Sequence, residues 1–87
     1  MTDLEMEKIL KSLGNRRRMQ IMKLLKRKRL TVSGIANEMK LSLRAVSRHL
    51  NSLYSNGLLD REQHGLNVFY KFNRVKISEL ARIFSSL

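Results

Sequence analysis

Cysteine is absent from this chain of 87 residues, which excludes disulfides and thiolate metal ligands. Acids are scarce: seven Asp and Glu stand against eighteen Lys and Arg, leaving a net charge of +11. No apolar run approaches the roughly 20 residues of a membrane-crossing helix. No secretory leader opens the sequence, so a soluble, cytoplasmic protein is expected. Glycine-rich phosphate loops are missing. The two histidines, His49 and His64, have no carboxylates spaced around them for catalysis or metal binding. Neither enzyme nor cofactor is expected. A chain this short forms one domain and buries only about 60% of its unfolded surface.

The positive charge is concentrated. Between Gly14 and Asn56 there are eleven Lys and Arg against Glu38 alone, so this segment holds +10 of the +11. Such a field predicts salt-sensitive attraction to a polyanion. An acidic membrane is disfavoured, because no helix joins a basic face to bulky aromatics. Double-stranded DNA is the expected partner, with no membrane.

The segment from Thr31 to Leu59 organises the rest. A helix is predicted from about Val32 to Lys40, and a second begins after Ser42 and ends before Gly57. Ser42 can cap the second through the backbone N–H of Ala45, and Leu41 with Val46 forms a hydrophobic staple. Asn56-Gly57 ends it, with Gly57 in the left-handed region and Leu58 returning onto Leu53. Helix, tight turn and capped helix make a helix-turn-helix, spanning residues 31–57. Val46, Leu50 and Leu53 form the apolar stripe of the second helix. Arg44, Ser47, Arg48 and Asn51 form an opposite face without acids, suited to base edges and phosphates.

Two helices precede this unit. One covers residues 2–13, with Met6, Ile9, Leu10 and Leu13 on one stripe, and acids in its early turns where the helix dipole favours them. The next runs from Arg16 to about Lys26, capped by Asn15. Arg16, Arg17 and Arg18 occupy its first turn, the unfavourable end for cations, and call for either a phosphate or the acids of the first helix. The KRKR run at 26–29 reads as a solvated helix end and loop. Thr31 can cap the following helix, where Gly34 permits close packing.

After Gly57 the period changes to two. Leu58–His64 and Asn67–Asn73 read as strands joined at Gly65-Leu66, a hairpin over residues 58–73. Arg61, His64 and Asn67 are its candidates for DNA backbone or minor-groove contact. A last helix covers 75–87, with Ile77, Leu80, Ala81, Phe84 and Leu87 on one stripe. The fold is therefore mainly α with a small β-hairpin: a winged helix-turn-helix of five helices and a two-stranded wing, in one domain over 1–87. The terminal helices, 1–13 and 75–87, are read as the dimer interface through Met6, Ile9, Leu10, Leu80, Ile83, Phe84 and Leu87.

With these residues in place, the chain resembles the arsenical-repressor (ArsR) family of winged-helix regulators. The resemblance covers about Leu10 to Phe72. LGNRRRMQIMKLL is similar to the family's opening segment, with Arg18 on its habitual arginine. AVSRHLNSL followed by GLL is the most specific match, and REQHGLNVFYKF resembles the wing, with Tyr70 at the usual aromatic position. The resemblance implies a homodimeric repressor on inverted-repeat operator DNA, released by an effector whose nature these residues do not reveal. It assigns the groove-facing positions to Leu43, Arg44, Ser47 and Arg48, with Ser42 at the helix entry and His49 beside them. His49 borders the buried stripe, so a structural role stays open beside a base contact. The metal-sensing members carry cysteines where Thr31 and Ser33 stand here, or Asp and His on a final helix that here offers only Glu79, so no metal site is expected. The competing function is a non-regulatory winged helix, a nucleic-acid or protein-assembly module of a larger complex.

Overall fold

Each of the five helices starts after a Ser, Thr or Asn whose side-chain oxygen accepts the N–H three residues on. In the computed structural model, which describes residues 1–87, α1 is Asp3–Leu13, α2 Arg16–Arg27, α3 Val32–Met39, α4 Leu43–Ser55 and α5 Arg74–Ser85. Strands β1 (Leu59–His64) and β2 (Asn67–Phe72) lie between α4 and α5. The architecture is the expected winged helix-turn-helix, mainly α with one hairpin. No helix is long and apolar enough to cross a membrane.

The predicted caps form: Asn15 accepts from Arg18, Thr31 from Gly34 and Ser42 from Ala45, at 3.0–3.1 Å. Thr2 and Glu5 add a reciprocal capping box to α1. Asn73 is a correction, because it caps α5 instead of ending β2. Its side-chain oxygen accepts from the Lys76 N–H and its amide donates to the Gly57 carbonyl, at 3.0 and 2.9 Å. That double use starts α5 one residue earlier than the hydrophobic stripe suggested.

The α3–α4 turn is closed by Lys40, a non-glycine residue at φ 54. Gly57, at φ 75, releases the chain from α4 as its position implied.

The core is assembled around α4. Val46, Leu50 and Leu53 meet Ile21 and Leu25 of α2, Ile35 of α3, and Leu58 and Leu59 at the root of the wing. Fully burying one such side chain is worth roughly 1.5–3 kcal/mol. Where α1 crosses α4, the buried Ser12 hydroxyl meets the half-buried Ser52 hydroxyl at 2.7 Å, which satisfies the buried polar group. Gly34 sits where a Cβ would press on Leu30 Cδ2 and Thr31 Oγ1, both 3.3 Å away, so close packing is its role.

The hairpin pairs Leu59 with Phe72 through His64 with Asn67. Its two-residue turn takes positive φ at Gly65 alone, φ 62, the arrangement of a type II′ turn. Leu30 adds an unexpected third rung: it exchanges both backbone hydrogen bonds with Tyr70, at 3.1 and 2.8 Å. The extended link before α3 thereby fastens the wing to the helical body.

Two sets of expected interface residues are revised. Ile9 and Leu80 are only 3% and 5% exposed and belong to the chain's own core, because the narrow stripes of α1 and α5 turn these positions inward. Leu10 and Phe84 stay exposed, and Met6 and Ile83 are half-buried. Leu87 lies beyond the end of α5 and is 92% exposed.

Candidate nucleic-acid interface

Recognition by α4 depends on what its polar face is free to do. Its buried stripe fixes the helix rotation, so Leu43, Arg44 and Arg48 are exposed on the outer side, with Ser47 half-buried between them. Neither Arg44 nor Arg48 pairs with a carboxylate. Ser42 spends its side-chain oxygen on the cap, which leaves its hydroxyl proton available at the helix entry. An acid-free helical face with two unengaged guanidiniums can reach guanine edges or phosphates.

His49 lies at the margin of that face. Its Nδ1 accepts from Arg18 Nε of α2 at 3.2 Å. Burial, reinforced by the positive charges of Arg18, Arg48 and Arg17, lowers its pKa below the usual histidine value. The α1 acids are not the partners of the α2 arginines: none pairs with Arg16, Arg17 or Arg18, and Arg18 donates to a histidine. The sequence separation of 31 residues hides this contact from local patterning.

The wing divides into two faces, since cross-strand partners point the same way. Arg61 shares the face of Tyr70. Its guanidinium carbon stands 3.9 Å from the ring centroid of Tyr54, on the last turn of α4, and the nearby Tyr70 side chain further favours its charged form. Arg61, expected to reach DNA backbone or minor groove, is thus folded back onto the domain against Tyr54.

Glu62, His64, Phe69 and Lys71 share the opposite face. Glu62 pairs with Lys71, with His64 at 3.1 Å and with Arg29 at 3.8 Å. Hydrogen bonds from Lys71 and then His64 hold its carboxyl below the usual range. The KRKR run is exposed throughout, as expected of a solvated helix end and loop, while Lys28 pairs with Glu38 at 2.8 Å on that surface. Lys71 and Arg29 were absent from the sequence-derived site. Lys71 was accessible by counting back from the two-residue turn, whereas Arg29 reaches the wing only through the Leu30–Tyr70 rung. At the tip, His64 and Asn67 flank Leu66, which is 100% exposed.

The arrangement is a capped helix presenting free cations, beside a wing whose cations are internally engaged. Comparison with known proteins places it. The sequence model for "Bacterial regulatory protein, arsR family" matches residues 15–61, which hold α2 to the start of the wing. The transcriptional activator HlyU of Vibrio cholerae is 30% identical over 79 residues, covering 91% of this chain and 73% of that protein. Its reduced form superposes with a TM-score of 0.77 at 28% identity, over 92% of this chain and 84% of the other. A homodimeric winged helix-turn-helix DNA-binding domain from Mycobacterium bovis gives 0.82 at 25% identity, covering 99% and 85%. An ArsR-like regulator from Rhodococcus gives 0.90 at 24% identity, covering 95% and 78%, a likeness of fold. The chain belongs to the arsR family of bacterial regulatory proteins, and is a DNA-binding transcription regulator, not an enzyme.

Proposed function

We propose that the protein acts as a homodimer on an inverted-repeat operator, with α4 of each copy in a major groove and the wing on the adjoining backbone or minor groove. The observation that carries this reading is the acid-free face of α4, whose Arg44 and Arg48 have no internal partner. Ser42, Leu43, Arg44, Ser47 and Arg48 form the groove-facing set, and Leu43 suits a thymine methyl. Arg61, His64 and Asn67 supply the wing contacts. Dimerisation uses the outer faces of α1 and α5. Support comes from α5 itself, which buries only Leu80 and leaves Ala81 and Phe84 lining an open apolar cleft with Leu13, Met19 and Met22. The Mycobacterium relative is homodimeric.

Repression follows if the operator overlaps a promoter. The Vibrio relative is an activator, so the position of the operator sets the sign of regulation. Selection of bound sites from random DNA, followed by footprinting, tests the proposal. The expected result is a two-fold symmetric site with half-site centres about 34 Å apart. Uniform binding to every duplex would refute it and favour a non-regulatory module.

A further inference from the structure

We propose that Tyr54, on the last turn of α4, is a positioning residue for the wing: its ring docks the Arg61 guanidinium and so sets how much of that charge a DNA duplex receives. The inference rests on the DNA-binding reading and deepens it, because it names what governs one wing contact.

Register brings the two residues together. Leu59 and Arg61 stand two apart on β1 and point to the same face of the hairpin. Leu59 is buried at the root of the wing, so Arg61 is directed toward the helical body. Tyr70 pairs with Arg61 across the strands and is itself fastened by Leu30. The Tyr54 and Tyr70 rings meet at 79° with centroids 6.4 Å apart, an edge-to-face pairing that orients Tyr54 without help from the arginine. The Arg61 guanidinium carbon lies over the ring so oriented, 3.9 Å from its centroid.

An aromatic face holds a cation differently from a carboxylate. Arg61 forms no ion pair, in contrast with Lys71 and Arg29 at Glu62. The ring attracts the guanidinium through its quadrupole and carries no charge, so the full positive charge of Arg61 persists. Both side chains are exposed, which leaves the contact open to competitors. Phosphate oxygens are charged and match the guanidinium fork in pairs, so a DNA backbone beside the wing draws Arg61 off the ring. No ion pair is broken in that exchange. The ring still competes, so the duplex receives part of one phosphate contact, and a chain without the ring would deliver all of it.

Salt titrations of a short labelled random-sequence duplex, read by anisotropy, test the proposal. Tyr54→Leu should steepen the slope of log affinity against log salt, and Tyr54→Phe, which keeps the ring, should leave it at the wild-type value. Arg61→Gln added to Tyr54→Leu should remove a full phosphate contact, about 0.9 in slope, whereas Arg61→Gln alone should remove less. A merely structural Tyr54 would give the same Arg61 effect in both backgrounds. NMR reads the docking directly: the Arg61 Cδ protons should lie upfield in the free protein, under the Tyr54 ring current, and move downfield when duplex is added. That wild-type shift decides the question even if Tyr54→Leu fails to fold. Equal Arg61 effects in the two backgrounds, a Tyr54→Phe that matches Tyr54→Leu, or Arg61 protons that duplex does not move would overturn the proposal. Absence of duplex binding by wild type at low salt would instead overturn the DNA-binding reading beneath it.

Discussion

The outer face of α4 and the wing carry the same kind of residue in opposite electrostatic states. Arg44 and Arg48 have no partner within the chain. Arg61 lies on Tyr54, while Lys71, His64 and Arg29 converge on Glu62. A free surface cation releases counterions from DNA without first breaking an internal contact. A cation already engaged must exchange one partner for another, so its net contribution is smaller. Basic composition alone therefore overstates the wing and understates α4.

The largest effect should come from α4. Arg44→Ala or Arg48→Ala, where the side chain reads guanine, should weaken binding to the selected operator by about 1–3 kcal/mol and relax one base pair of specificity. Binding to operator and scrambled duplexes, compared across salt concentrations, is the check. If both variants left the specific-to-nonspecific ratio intact, the contrast between the two regions would collapse.

Next in size is the platform that presents those arginines. Ser42→Ala removes the N-cap of α4 and should cost about 1 kcal/mol of stability by denaturant unfolding. A loss in operator binding beyond that expected from unfolding would assign the Ser42 hydroxyl a direct DNA contact.

Arg61→Gln should act more weakly. Affinity should fall alike on all sequences, with a salt slope shallower by less than about 0.9, because Tyr54 competes for the guanidinium. A sequence-dependent loss would make Arg61 a reader and erase its distinction from α4.

The smallest change is expected from Glu62→Gln, which frees Lys71 and Arg29 from their shared carboxylate and should steepen the salt dependence slightly while lowering the melting temperature slightly at neutral pH. The sign of the pH effect follows from the lowered Glu62 pKa. Its ionised form is favoured in the folded chain, so its contribution is present above the ordinary glutamate range and lost as pH falls through the lowered value. Thermal melts of wild type and Glu62→Gln should therefore converge in acid. Salt slopes identical to wild type would show that the wing cations were already available to DNA.

Legibility in the sequence followed the range of each interaction. Ser42, Thr31 and Asn15 act on N–H groups three residues away, and the stripes of α2 and α4 repeat within one or two turns, so these were readable. Gly65-Leu66 fixed the hairpin register for the same reason. Asn73 misled, because its residue type suits a strand end as well as a cap, and its bond to Gly57 spans the wing. Arg18–His49, Arg61–Tyr54 and Arg29–Glu62 required the assembled fold, since no local period brings those positions together. Ile9 and Leu80 marked apolar faces correctly, but periodicity does not say whether such a face meets its own chain or another.

The hydroxyl pair where α1 crosses α4 has a consequence for how relatives of this chain diverge. Replacing Ser52 with an apolar residue strands the buried Ser12 hydroxyl, at about 1–3 kcal/mol, whereas replacing both with a shape-matched apolar pair is close to neutral. Positions 12 and 52 should therefore drift together, and a hydroxyl at 12 should seldom face an apolar residue at 52. Because one position lies in the N-terminal helix and the other in the reading helix, this shared history would be an inherited record of how those two helices cross.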